Sequence, residues 1–143
     1  MNAWTDWYDL EPHKAVPAEF ETSFGIYRIR VVDTNGRPFV LGRMLGSDDS
    51  GLVYIGRSGE REAGGRTVGW GLKEWISRGH SGANTYDRAK KVFSGGFVNH
   101  RLQVSALFLP VNEVISREAQ EIESYRMTFG EPPPFNSNTP GLE

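Results

Sequence analysis

Two short stretches constrain this chain more than any others: Gly25-Ile26-Tyr27 and Tyr54-Ile55-Gly56. After Gly25, Arg28 and Arg30 alternate with Tyr27, Ile29 and Val31. That period of two marks a half-buried strand, because successive side chains leave opposite faces of the sheet. Leu52-Val53-Tyr54-Ile55 is a β-branched and aromatic run ended by glycine, and reads as a second strand. Between the two, Asp33-Thr34-Asn35-Gly36 is a turn signal, since Asn-Gly readily supplies positive φ angles. Gly46-Ser47-Asp48-Asp49-Ser50-Gly51 reads as another turn, and 37–45 as an extra strand or an extended loop. Residues 24–32 and 52–56 are therefore expected to pair as antiparallel neighbours.

Downstream the period changes. Val68, Leu72, Trp75 and Ile76 recur at helical spacing and predict a helix over about 66–77, and 86–93 reads as a second, short helix. Leu-Gln-Val-Ser-Ala-Leu-Phe-Leu at 102–109 is a third strand, closed by Pro110. A last helix is expected over about 111–129, with Asn112 as its N-cap and Ile115, Ala119, Ile122 and Phe129 along one face. Glu118, Glu121 and Glu123 fall on or beside that face, and Pro132-Pro133-Pro134 prevents any continuation. The fold class expected is α/β (α+β): a small central antiparallel three-stranded sheet flanked by helices, in the order β-β-α-α-β-α. One domain spans 24–136. Residues 1–23, with Trp4, Trp7, Tyr8 and Phe20, are expected to pack on it, and 137–143 form a tail.

Composition narrows the function. With 143 residues and no cysteine, disulfides and thiolate metal sites are excluded. Asp6, Asp9 and Glu11 interrupt what would be the apolar core of a signal peptide, and no apolar run approaches the roughly 20 residues of a membrane span. A cytoplasmic, intracellular protein is the expectation. The net charge is −2, but its distribution is uneven. Residues 1–23 carry one Lys against five acids, and 102–143 carry two Arg against six. Between Tyr54 and Arg101, nine Lys or Arg stand against four acids, which a phosphate-facing surface on an otherwise acidic domain would require.

Gly25-Ile26-Tyr27 and Tyr54-Ile55-Gly56 together resemble the signature of the GIY-YIG nuclease family, letter for letter. The family also has an arginine in the helix after the second strand, a glutamate in the last helix and an asparagine shortly after it. Arg66 is the matching arginine, with Arg61 and Arg78 as alternatives. Ala119-Gln120-Glu121-Ile122-Glu123 resembles the pattern that ends in the glutamate, which selects Glu123, with Glu121 the alternative. Phe135-Asn136 resembles the terminal pair. The resemblance covers 24–136 and implies the β-β-α-α-β-α fold, a metal-dependent DNA endonuclease and a Mg²⁺ or Mn²⁺ ion held by Glu123. Family members usually carry separate recognition modules; a lone catalytic domain implies a homodimer or a separate targeting partner.

The chemistry fits those residue types. Phosphodiester hydrolysis needs a nucleophilic water and neutralisation of growing negative charge. A hard divalent cation is often held by a single carboxylate with waters and substrate phosphate, so one glutamate suffices. Arg66 offers a planar fork suited to a phosphate oxygen. Tyr27 is the expected base and Tyr54 an orienter of the water. Ordinary tyrosine ionises near pH ~10, so that role needs a cation beside it, and Arg57 and Arg66 are the suppliers. Asn136 holds geometry. Arg57, Arg61, Arg78, His80, Lys90 and Lys91 are the candidate DNA contacts. The alternative is a catalytically inactive module, binding nucleic acid or protein, on the same scaffold.

Overall fold

In a computed structural model, residues 3–9, 17, 20, 23–58, 60–61, 67–68 and 100–136 are described, with the backbone alone for 60–61 and 67–68. Strand β1 is Tyr8–Asp9, β2 Gly25–Val32, β3 Leu41–Arg43, β4 Gly46–Asp48, β5 Leu52–Ser58, β6 Glu60–Arg61, β7 Thr67–Val68 and β8 Arg101–Phe108; helix α1 is Val114–Phe129. The main sheet is antiparallel and ordered β1-β8-β2-β5, so the chain is mixed α/β with an antiparallel sheet and a C-terminal helix. The expected pairing of the two tripeptide strands is present, with Tyr27 opposite Gly56 and Ile29 opposite Tyr54. A register shift between Ile29 and Arg30 absorbs one extra residue of β5.

The alternation of β2 separates two cores. On one face Tyr27, Ile29 and Val31 pack with Tyr54, Val104 and Ala106, and Phe20 closes the layer. Phe20 stands edge-on to Phe108 at a centroid distance of 5.3 Å, the arrangement that ring quadrupoles favour. On the other face Ile26 and Leu107 meet Leu109 and Val114, so α1 lies across that side. The N-terminal segment adds β1 to the β8 edge, and the Thr5 amide donates to the Ala106 carbonyl at 2.8 Å.

Three sequence expectations are corrected. Thr67–Val68 pairs with Glu60–Arg61 as a two-stranded ribbon, so no helix begins at 66; the remainder of 66–77, and all of 86–93, lies outside the described residues. Asn112 does not cap the last helix: Val111–Glu113 is a 3-10 turn and α1 follows Glu113, whose side chain makes no cap bond. Ile115 is exposed, and the helix instead buries Val114, Ile122 and Tyr125, a stripe at i, i+8 and i+11.

The connection between the tripeptide strands also has a defined job. The expected turn at 33–36 forms, with the Asp33 carboxylate accepting from the Asn35 and Arg37 amides. The segment expected as a second turn instead supplies β4, which pairs with β3 in a hairpin turning at Met44-Leu45. That hairpin grips the end of α1. The Leu45 amide donates to the Phe129 carbonyl at 2.9 Å, and Arg43 pairs with Glu131 at 3.1 Å. Helix α1 stops at Gly130, whose φ of +84° favours glycine and whose missing Cβ leaves room for Leu45. Asp48, 2 % exposed, accepts from the Tyr125 hydroxyl at 2.7 Å and from Ser50. No helix among the described residues is long and apolar enough to cross a membrane.

Tyr125→Phe keeps the ring packing but leaves the buried Asp48 carboxylate one donor short. It is expected to lower unfolding free energy by about 1–3 kcal/mol, read as a lower urea midpoint at unchanged slope.

Candidate functional site

β5 is the outer strand of the sheet, and four groups converge on it from different parts of the chain. Tyr27 starts on the neighbouring strand, and its ring lies across β5 over Gly56. A Cβ at Gly56 would stand 2.6 Å from Cζ of Tyr27 and 2.7 Å from a ring carbon of Tyr54, so the last letter of Tyr-Ile-Gly is dictated by the tyrosine of Gly-Ile-Tyr. The first glycine answers a similar demand: a Cβ at Gly25 would sit 2.1 Å from the Leu107 carbonyl oxygen on β8. With these two positions cleared, the Tyr27 and Tyr54 rings come to 6.1 Å between centroids at a tilt of 40°.

The third group comes from beyond the prolines. Asn136 lies alongside the free edge of β5 and treats it as a strand would. Its side-chain carbonyl accepts from the Ile55 amide at 3.0 Å, and its side-chain amide donates to the Ile55 carbonyl at 2.9 Å. The Phe135 amide donates to the Val53 carbonyl at 2.7 Å. Asn136 therefore fixes the strand segment between Tyr54 and Gly56, a geometric role of the kind expected for it.

The fourth group is an ion pair. Arg57, which follows Gly56, points to the helix side and donates to Glu118 at 2.6 Å. The Glu118 side chain is 13 % exposed. In α1, Glu118 sits four residues after Val114 and four before Ile122, on the stripe the helix buries. Glu123 and Glu121 are placed elsewhere. Glu123 pairs with Arg126 at 2.9 Å on the exposed side of the helix, and Glu121 pairs with Arg117 at 3.0 Å. Of the three glutamates, Glu118 is the one whose charge acts on Tyr27. Its signal in the sequence is a carboxylate at helical spacing between the apolar residues Val114 and Ile122, a stripe one position away from one that runs through Ile115.

Tyr27, expected as the base, is fully buried. Burial pushes its hydroxyl well above the ordinary tyrosine range, and Tyr54, Glu118 and a hydrogen bond to Tyr54 push the same way. Arg57 pulls it down but is outweighed. A phenol so placed stays protonated at working pH and acts as a donor.

Arg66, Arg78, His80, Lys90 and Lys91 lie outside the described residues, and for Arg61 only its place in β6 is described. The site as described thus joins Tyr27, Tyr54, Arg57, Glu118 and Asn136 around one sheet edge. Among the described residues no group of three or more His, Asp or Glu gathers as a ready metal cage. A hard cation can be held by one protein carboxylate with waters and phosphate oxygens completing its shell, and Glu118, bonded to Arg57, is the carboxylate at this edge.

Because the Tyr27 hydroxyl titrates higher in the folded chain than in the unfolded one, the native state holds its proton longer. Its contribution to stability is present below about pH 10 and is lost as pH rises beyond it. Tyr27→Phe is expected to flatten the decline in urea midpoint between about pH 9 and 11, leaving the part due to Tyr125, whose hydroxyl is also raised.

No family model, curated protein or solved structure matches the chain, so the family stays a resemblance carried by the residues themselves.

Proposed function

We propose that the chain is a GIY-YIG-type endonuclease that hydrolyses DNA phosphodiester bonds with a divalent metal, Mg²⁺ or Mn²⁺. One observation carries the reading. The two tripeptides, 27 residues apart at their tyrosines, meet as neighbouring phenols at a strand edge where Asn136, Arg57 and Glu118 also arrive. In this reading Glu118, in place of Glu123, would hold the metal. The metal's part is to polarise the scissile phosphate and lower the pKa of a bound water.

The protein's own groups supply the rest. Arg57 fixes the Glu118 carboxylate and brings a permanent positive charge to where a phosphate oxygen would lie. Tyr54 would donate the hydrogen bond that orients the attacking water or the phosphate, and Tyr27, kept neutral by burial and hydrogen-bonded to Tyr54, would hold it in place. Asn136 keeps Tyr54 and Gly56 in register with Tyr27. Arg66, with Arg61 and Arg78 as its alternatives, keeps the part of transition-state cation, and His80, Lys90 and Lys91 that of DNA contacts, on sequence alone. DNA is the proposed partner, with a second copy or a targeting protein providing specificity.

A second reading, a binding module that no longer cuts, is favoured by the closeness of the Arg57–Glu118 pair, because the arginine already occupies an oxygen a metal would use. Plasmid nicking separates the two. With Mg²⁺ or Mn²⁺ the protein is expected to nick supercoiled DNA, and EDTA to abolish it. Glu118→Ala should lower the rate by roughly a hundredfold or more, and Glu123→Ala should leave it within about threefold. DNA retention without nicking at any metal concentration would select the module. Loss of nicking in Glu123→Ala but not in Glu118→Ala would return the metal to Glu123.

A further inference from the structure

Beyond the Arg57–Glu118 pair, the helix side of the sheet carries an arrangement that the nuclease reading does not use. Arg28 sits half buried with its guanidinium between two indoles, 4.2 Å from the Trp4 ring centre and 4.7 Å from that of Trp7. Arg30 continues the stack on Trp7 at 4.3 Å, and is satisfied by Gln103 at 2.8 and 3.0 Å. Arg28 has no such partner among the described residues. Its Nε is buried without a hydrogen bond, and none of its nitrogens forms an ion pair among the described residues. Stacking covers the two faces of a guanidinium and leaves its edge, where all five N–H donors lie, still needing acceptors.

Arg28 also lines a groove of about 210 Å³ between α1 and the sheet. Its walls are Trp4, Leu52, Ile55 and the Tyr125 ring, and Ser124 and Thr128 lie along the rim. Glu121 also lines it. The Glu121 carboxylate is close enough for its charge to act on Arg28, yet its bond is made to Arg117. A fork of donors and a carboxylate thus stand apart in one flat-sided groove without closing on each other.

The groove's chemistry limits what fits. Its volume is below the roughly 300–1,000 Å³ of drug-sized pockets, so one ring system fills it. A simple anion would satisfy Arg28 but meet Glu121. The complementary group is planar and neutral, with adjacent acceptors on one edge and adjacent donors on another. Guanine has both: O6 and N7 suit a bidentate arginine, and N1–H with the 2-amino group suits a carboxylate. Adenine offers Arg28 one acceptor beside a donor, and cytosine offers Glu121 a single amino group.

We propose that the groove between α1 and the sheet binds a guanine base, edge-on to Arg28 and Glu121 and flanked by Trp4 and Tyr125. The base belongs to either a free nucleotide or an unpaired guanine in DNA. The inference stands apart from the nuclease reading and is tested in EDTA, where a chain with no cutting activity gives the same result.

The experiment is a titration of the full chain followed by tryptophan fluorescence, to which Trp4 contributes as one of the four tryptophans. Guanosine 5′-monophosphate is expected to give saturable quenching, with adenosine and cytidine monophosphates at least tenfold weaker. Arg28→Lys, which keeps the charge and loses the fork, should weaken binding tenfold or more. Ser124→Trp, placed at the rim to fill the groove from the solvent side, should abolish it and decides the matter if Arg28→Lys does not fold. Glu121→Gln should narrow the preference for guanine. A thymine octanucleotide carrying one guanine, set against an all-thymine control, separates the two sources: binding of the oligonucleotide alone assigns the site to DNA, and binding of both admits the free nucleotide. No saturation by either guanine ligand, equal binding of adenosine monophosphate, unchanged binding in Ser124→Trp, or saturation by phenylalanine instead would each overturn the proposal.

Discussion

The passage of one aromatic ring over one glycine organises this molecule. Tyr27 could not lie across β5 if position 56 carried a side chain, and without that passage the two phenols would not meet. The cost is a tyrosine hydroxyl buried in the core, which the hydrogen bond to Tyr54 offsets in part. From this contact the rest follows. β2 becomes an interior strand, its other neighbour is β8, and β5 is left as the edge on which the remaining groups assemble.

The two sides of the sheet are used differently. The Tyr27 side is closed by aromatic packing, with Phe20, Tyr8 and Phe135 against the strands. The helix side mixes apolar contacts at one end with charged ones at the other: Ile26, Leu107 and Val114, then Arg57 with Glu118, then Arg28 between its indoles. Helix α1 is therefore fixed near its start by the apolar core and at its end by the hairpin, through Arg43, Leu45 and the Tyr125–Asp48 bond. The stretch between those anchors, which carries Glu118 and Glu121, is where side chains face the sheet across polar surroundings.

Much of this was legible from residue order. The period of two in β2, the Asn-Gly turn, the third strand before Pro110 and the closing helix all follow from local rules that tertiary contacts did not override. What escaped depends on longer reach. A helix start is set by which residue first finds a partner, so Pro110 followed by a 3-10 turn moved the buried stripe by one position, from Ile115 to Val114. That single step changes which glutamate faces the sheet. The Met44-Leu45 hairpin tip was hidden because its purpose lies at the helix end, more than eighty residues on. The stacking of Trp4 and Trp7 on Arg28 was invisible for a similar reason: nothing in the spacing of the three residues brings them together. Phe135-Asn136 could be picked out by resemblance, but its pairing with β5 could be seen only once that strand was known to be an edge.

That pairing has a consequence for how the protein keeps company with itself. An uncovered edge strand offers a row of unsatisfied amides and carbonyls to any other chain, and β5, rich in β-branched and aromatic residues, would be an adhesive one. Asn136 occupies it with a side-chain amide that stands in for a peptide group, while Pro132 to Pro134, which lead into the turn closed by the Asn136 amide on the Pro133 carbonyl, have no donors of their own to propagate further pairing. A few residues past the last helix thus act as a stopper on the sheet, so the strand that gathers the site is also sealed against growth into an aggregate.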